Sequence, residues 1–293
     1  MTDVLIIGAG PAGISASLYA RRANLEVQVL YHEKGNLQKA HKIENYYGFP
    51  KGISGEELFK NGIEQAQNLG VKILNAEALH ISIEEDKTFL VQTDRENFSS
   101  KTLILATGNK KLRPSINGIE ELEGRGVSYC AVCDGFFYRG KTVAVLGNGK
   151  FALSEAENLK GLAASVKILT NGEDASFLEK NSKNEYSIET KKIKTLEKDE
   201  KLGKLKNLVF SDGTKMLLDG LFIALGEAGA SDFAKKLGLA MNKDSIVVNN
   251  KMETNIDGLY SCGNSTGGLL QVSKAVYEGA LAGISAAEYV KHL

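Results

Sequence analysis

The stretch "DVLIIGAGPAG" (3–13) decides the fold, because it occurs twice. Its second copy is "TVAVLGNGKFA" (142–152), so that Gly8, Gly10 and Gly13 correspond to Gly147, Gly149 and Ala152. The offset of 139 also carries "VQVL" (27–30) onto "VKIL" (166–169). Each copy reads as a buried strand, a glycine turn, a helix and a second strand, which is the βαβ opening of a dinucleotide fold. One G-x-G-x-x-G is weak evidence, but two in the same strand–turn–helix setting predict an α/β protein with two Rossmann-like, three-layer ββα domains.

The three glycines carry separate expectations. The first permits the tight turn, the second lets backbone approach a pyrophosphate, and the third lets helix pack closely on strand. The helix start then offers unpaired N–H groups and the positive end of its dipole to phosphate. Pro11 fits the first helical positions, where a missing N–H costs little. Further along, "TLILATG" (102–108) is an apolar strand ending where backbone can pass close to a ligand. Near the C-terminus, "GLYSCGNSTGGLLQVSKAVYEGALAGISAAEYV" predicts a strand, a glycine turn and a long helix starting around 268–271. Such a helix start suits the negative charge of a reduced flavin.

Bulk properties narrow the class. The chain has 293 residues, enough for two ordinary domains, and its 36 basic residues balance 36 acidic ones. That balance argues against a nucleic-acid-coating surface. The apolar N-terminus has Asp3 where a signal peptide needs a basic region, and no other run is long enough to span a membrane. The four histidines are scattered, so no metal site is expected. Of the three cysteines, Cys130 and Cys133 form a C-x-x-C pair followed by Asp134 in "GVSYCAVCDGFFYRGK" (126–141), which favours thiol redox chemistry in a reducing cytoplasm. Without a second pair or a nearby histidine, half a zinc site is a poor reading. Cys262, just before Gly263-Asn264, reads as a small buried filler rather than a thiol facing a flavin, since free cysteine packs like a hydrophobe.

Together, "GAGPAG", "IENYYGFP" (43–50), "ATG" (106–108), "GRGVSYCAVCDGFFYRGK" (124–141), the second glycine turn and "YSCGN…QVSKAV" resemble the low-molecular-weight thioredoxin reductase family over essentially the whole chain. The resemblance implies a split FAD domain, 1–112 and 238–293, around an inserted domain, 113–237, that carries the cysteines. It places FAD on Gly8, Gly10, Pro11, Ala12 and Gly13, with Glu33, Asn45, Ala106, Thr107, Gly108, Gly263, Asn264, Gln271 and Val272 as further cofactor-binding residues. It makes Cys133 the flavin-facing sulfur, Cys130 the thiol that attacks thioredoxin, and Asp134 the acid/base for the thiol protons. It also implies a homodimer whose domains rotate between flavin-facing and substrate-facing arrangements.

The second dinucleotide copy departs from the family. NADPH-using members follow the second strand with His-Arg-Arg, whereas this chain reads Thr170, Asn171, Gly172. A charge-assisted bond contributes roughly 1.5–3 kcal/mol, so losing two costs about 3–6 kcal/mol. Lys150 and Phe151 replace the usual Asp and Ser, and Phe151 is expected to add bulk where a phosphate approaches. NADH would need a carboxylate at the strand end; Thr170 is not one, and Glu173 comes three residues later. The combination resembles the ferredoxin-dependent flavin thioredoxin reductases, which implies electrons from ferredoxin. A ferredoxin near −400 mV against a thioredoxin near −270 mV leaves roughly 6 kcal/mol per electron pair. An NADH- or NADPH-dependent reductase, and a flavin oxidase or redox sensor without a thioredoxin partner, remain as alternatives.

Two positions depart in the FAD half as well: Tyr31 stands where an acidic residue is usual, and Asn264 replaces an Asp. Tyr46, Tyr47 and Phe49 are read either as a flavin cover or as core. Phe136, Phe137 and Tyr138 are expected to pack beneath the disulfide. The lysine-rich region 180–215 reads as a solvated face or as a docking face for an acidic ferredoxin.

Overall fold

The structure is a computed structural model that describes residues 1–32, 35, 37, 40–108, 114–129, 131–226 and 229–293, with backbone only at 132, 133, 230 and 231. The chain forms two compact units, Met1–Lys111 with Gly229–Leu293, and Leu112–Ala228.

In the first unit, β1 (Thr2–Ile7) leads through a glycine turn into α1 (Pro11–Arg22) and on to β2 (Val27–Tyr31). There follow α2 (Gly55–Asn68), β3 (Lys72–Asn75), β4 (Ala78–Ile83), β5 (Phe89–Thr93) and β6 (Asn97–Leu105). The alternation of Val4 and Ile6 with Leu5 and Ile7 buries both faces of β1, as a strand covered on two sides requires. β3, β2, β1 and β6 run parallel, while β4, β5 and the first half of β6 form an antiparallel meander. α2 begins at a Ser54 cap whose hydroxyl accepts the Glu57 N–H.

The second unit holds α3 (Ile119–Leu122), β7 (Val127–Ser128), α4 (Ala131–Asp134), β8 (Thr142–Leu146), α5 (Lys150–Leu159), β9 (Ser165–Leu169) and α6 (Ser176–Asn181). It continues through β10 (Ser187–Glu189), β11 (Ile193–Lys198), β12 (Leu205–Phe210), β13 (Lys215–Leu217) and β14 (Gly220–Ile223). Its parallel sheet has the order β10-β9-β8-β14-β7, and β11-β12-β13 form a separate antiparallel sheet. The repeat extends beyond the sequence match. Strand β14 ends in Ala224-Leu225-Gly226, as β6 ends in Ala106-Thr107-Gly108. A Cβ at Gly147 would lie 2.1 Å from the Ala224 carbonyl oxygen, just as one at Gly8 would lie 2.3 Å from that of Ala106.

The chain re-enters the first unit at Gly229, not at 238 as the sequence suggested. The reason is α7 (Ala230–Leu237), which packs on β4 and on β16 (Ser245–Ile246), the partner of β15 (Met241–Asn242). The Asp232 carboxylate caps α7 by accepting the Gly229 N–H at 2.8 Å. β17 (Leu259–Ser261) then pairs in parallel with the second half of β6. α8 (Val272–Lys291) lies across α1, and the approach is close because Cβ atoms at Gly279 and Gly283 would sit 2.1 and 2.3 Å from the Ala12 and Ala16 carbonyl oxygens. No described helix is long and apolar enough to cross a membrane.

Candidate functional site

A cavity of about 380 Å³ opens in the first unit at the C-terminal ends of β1, β6 and β17. Gly8, Gly10, Pro11 and Ala12 line one side, Ala106, Thr107 and Gly108 another, and Gly263, Asn264, Gln271 and Val272 a third, with Asn45 at the rim. The glycine turn divides its roles physically. A Cβ at Gly13 would fall 1.8 Å from the Gly8 carbonyl oxygen, so Gly13 is a packing residue and does not line the cavity. Gly10, by contrast, has ordinary φ −72 and ψ −179, and a Cβ there would meet no atom of the described residues within 4 Å. None of the described residues calls for a glycine at 10, and the space there is open to a group that approaches the turn.

That space fits the pyrophosphate of FAD. Gly10 is the N-cap of α1 and brings no side-chain cap, and Pro11 has no N–H, so the Ala12 and Gly13 N–H groups at the helix start are left without an intrahelical acceptor. Thr107 supplies a second sign, since its buried Oγ1 has no hydrogen-bond partner among the described residues. At the rim, the Asn45 amide donates to Gln271 Oε1 at 2.9 Å, which ties the "IENYYGFP" loop to the N-cap of α8. Tyr46, Tyr47 and Phe49 do not line this cavity. They line a second, largely apolar hollow of about 510 Å³ with Leu18, Tyr19 and Leu58; Tyr46 and Phe49 stack at 5.8 Å, and Tyr47 is 97 % exposed. Glu33 lies outside the described residues.

Below the third wall sit two residues that the sequence reading passed over. Lys274 and Glu278, one helical turn apart on α8, form an ion pair at 2.8 Å and hold the turn Gly263–Thr266 from beneath. A Lys and a Glu at i, i+4 are a readable pair; what the sequence hides is that they face inward. Cys262 is fully buried as expected, and burial pushes its thiol far above the ordinary range.

In the second unit, Cys130 lies outside the described residues, and of Cys133 only the backbone, within α4, is described. The surroundings of α4 are informative. Ser128 donates to Asp134 Oδ2 at 2.6 Å, and the buried Glu155 of α5 accepts the Ala131 N–H at 2.8 Å. Tyr138 lays its ring over Gly220 and edge-on to Phe222, with centroids 5.2 Å apart. Burial first, and then the charges of Asp134 and Asp219, raise its hydroxyl above the usual value. Phe136 and Phe137 correct the expectation of a packed position: both are exposed, in contact with each other edge to face, with the Arg139 guanidinium 5.3 Å from the Phe136 ring centroid.

Phe151 is a second correction. It is 2 % exposed, so its ring is an interior group of α5 and adds no bulk where a phosphate would approach. The second-strand end is closed by other means. The Thr170 hydroxyl donates to the Glu173 carbonyl at 2.8 Å, Asn171 Oδ1 accepts the Ile193 N–H at 2.7 Å, and the Gly172 N–H donates to Thr190 at 2.9 Å. In the lysine-rich region, Lys191, Lys198, Lys206 and Lys215 pair with Asp212, Glu121, Asp199 and Glu197. The described residues contain no cluster of three metal-ligating side chains.

Comparison with known proteins agrees along the whole length. Residues 2–279 match the family described as pyridine nucleotide-disulphide oxidoreductase. A thioredoxin reductase of Aquifex aeolicus is 35 % identical over 273 residues, covering 89 % of this chain and 84 % of that protein. Among solved structures, the atypical thioredoxin reductase TRi from Desulfovibrio vulgaris Hildenborough is 38 % identical with a TM-score of 0.93, covering 100 % of this chain and 99 % of that one. A ferredoxin-flavin thioredoxin reductase from Clostridium acetobutylicum is 32 % identical with a TM-score of 0.74, over 100 % of this chain and 99 % of that one.

Proposed function

This chain belongs to the pyridine nucleotide-disulphide oxidoreductase family as an FAD flavoprotein of the thioredoxin reductase type, and we propose that it reduces thioredoxin through Cys130 and Cys133 with electrons from reduced ferredoxin. In balance, two reduced ferredoxins, one disulfide and two protons give two oxidised ferredoxins and one dithiol. When bound, FAD supplies a store that fills one electron at a time and empties as a pair. The glycine turn and the start of α1 hold its pyrophosphate, Thr107 and the backbone of Ala106 to Gly108 flank it, and the Asn45–Gln271 pair orders the rim. Asp134, fixed by Ser128, is the group that gives and takes the thiol proton.

The observation that carries the donor assignment is the turn at 170–172. A phosphate on the adenosine ribose calls for guanidinium groups, and here a buried threonine, a committed asparagine side chain and a glycine are bonded to their own chain. The similarity to a ferredoxin-flavin thioredoxin reductase supports the same reading. Phe136 and Phe137, two exposed aromatic rings directly after the redox motif, suit docking of a protein substrate. A homodimer belongs to this reading too. A second reading, reduction by NADH or NADPH, draws on Gly149: among the described residues a Cβ there would meet only the Gly226 carbonyl oxygen, at 3.8 Å, which leaves room for a pyrophosphate.

Anaerobic stopped-flow mixing with reduced ferredoxin, NADPH and NADH in turn decides between the donors. Ferredoxin is expected to bleach the flavin rapidly; fast bleaching by either nucleotide at micromolar concentration overturns the assignment. Cys133→Ser should keep flavin reduction by the donor and stop thioredoxin reduction.

A further inference from the structure

Four oxygens surround the ammonium of Lys274. Its Nζ lies 2.7 Å from the Gly263 carbonyl, 2.9 Å from Thr266 Oγ1, 2.6 Å from the Gly267 carbonyl and 2.8 Å from Glu278 Oε2. The group is largely withdrawn from water, with 15 % of the lysine and 13 % of the glutamate side chain exposed. An ammonium has three N–H donors. Four oxygens at these distances therefore do not form a one-to-one set of hydrogen bonds; they enclose the ammonium as a charge.

The shell has a reason to need charge. Gly263 and Gly267 both adopt positive φ, +78 and +75, which turns their carbonyl oxygens inward onto one point. The Glu278 carboxylate also faces that point while it accepts the Gly263 N–H at 2.8 Å and the Thr266 hydroxyl at 2.9 Å. Converging carbonyls and a carboxylate repel one another unless a positive charge stands between them, and more strongly out of water than in it. The same turn gives Gly263 and Asn264 to the wall of the FAD cavity.

We infer that Lys274 is a positioning residue: a cation carried on a side chain that locks the Gly263–Gly267 turn in the shape FAD requires. The inference rests on FAD as the cofactor and not on which donor reduces it. Truncation to alanine should let the four oxygens move apart and the turn loosen, until ammonium or potassium, small enough to take the place of the Nζ, draws them together again; tetramethylammonium is too large to do so.

The experiment follows flavin release from diluted holoprotein by its rise in fluorescence, in ammonium, potassium or tetramethylammonium chloride at one ionic strength. For Lys274→Ala in tetramethylammonium, release should accelerate at least about tenfold, the loss expected for one charge-assisted bond. Ammonium or potassium should bring it back to within about threefold of the parent, whose own release should not depend on the cation. Unchanged release in the variant overturns the inference, and so does faster release that neither small cation reverses. If Lys274→Ala does not fold, Lys274→Met keeps the stem and must still release flavin faster; parental release in that variant is equally fatal. No donor enters the assay, so failure here and failure of the ferredoxin assignment are read separately.

Discussion

Gly10→Ala should separate folding from cofactor binding. Alanine adopts φ −72 and ψ −179 without strain, and its methyl group would meet no atom of the described residues within 4 Å. As an N-cap, alanine is worse than glycine by roughly 0.5–1 kcal/mol. Against this, the less flexible unfolded chain returns about 0.4–1 kcal/mol. The apoprotein should therefore keep its urea stability within about 1 kcal/mol. The methyl group projects into the space at the start of α1, where it holds a pyrophosphate away from the first-turn N–H groups. Losing one or two charge-assisted bonds, at about 1.5–3 kcal/mol each, weakens FAD binding by roughly tenfold to ten-thousandfold. Titration of the apoprotein, followed by quenching of FAD fluorescence, measures this directly. Gly13→Ala is the contrast: its methyl would lie 1.8 Å from the Gly8 carbonyl oxygen, so stability and binding should fall together. An FAD affinity in Gly10→Ala within threefold of the parent refutes the reasoning, as does a Gly13→Ala variant that folds as well as Gly10→Ala.

Other consequences follow from single contacts. Ser128→Ala removes the donor to Asp134 and should slow thioredoxin reduction by up to about tenfold while donor-driven flavin bleaching is unchanged; a parental turnover rate counts against Asp134 as the proton carrier. Glu155→Ala strips the buried acceptor of the Ala131 N–H and should cost about 1–3 kcal/mol in urea unfolding, whereas Glu155→Gln should recover most of it. Burial raises the Cys262 thiol, so in a Cys130→Ser/Cys133→Ser background its contribution is complete below the ordinary thiol pKa of about 8.5. As the pH rises above that value toward the higher folded-state value, the unfolded chain ionises first and stability falls, by up to about 1.4 kcal/mol per pH unit. Urea midpoints between pH 7 and 10 test the sign, and stability that rises over that interval excludes the explanation.

What the sequence made legible was local. The glycine turns, the Ala-Thr-Gly strand end and the start of α8 all answer to steric demands within a few residues, and α8 begins at Val272, next to the expected position. The Ala224–Gly226 strand end is not legible in the sequence, because its leucine hides the likeness to Ala106–Gly108 that the two sheets share. Phe151 looked like an obstruction because a bulky residue in a glycine turn invites that reading; only packing reveals that the ring turns inward. Phe136 and Phe137 misled in the opposite direction, since apolar residues are usually buried and these are not. Lys274 and Glu278 could be seen as an i, i+4 pair, but nothing in the sequence says that glycine carbonyls converge on them.

The two units also show why a glycine fingerprint by itself says little about a ligand. Gly8 and Gly147 are required by the carbonyls of Ala106 and Ala224, and Gly13 by the carbonyl of Gly8; each would be needed in a unit that bound nothing. Only the middle glycine is free of such a demand, and both units keep it, as Gly10 and Gly149. The distinction between the units must therefore come from the residues around the turn. In the first, a buried threonine hydroxyl without a partner among the described residues and a cation-locked turn border the cavity. In the second, Thr170, Asn171 and Gly172 have spent their hydrogen bonds on neighbouring backbone. Asn171 makes this hard to reverse. It adopts φ +55 and Gly172 φ +88, so arginines placed there would have to take up left-handed backbone while the Ile193 N–H lost its acceptor. Asn171→Arg with Gly172→Arg should accordingly lower stability without yielding rapid reduction by NADPH. Efficient NADPH turnover from that pair of substitutions alone would mean that charge, and not the shape of the turn, is what the second unit lacks.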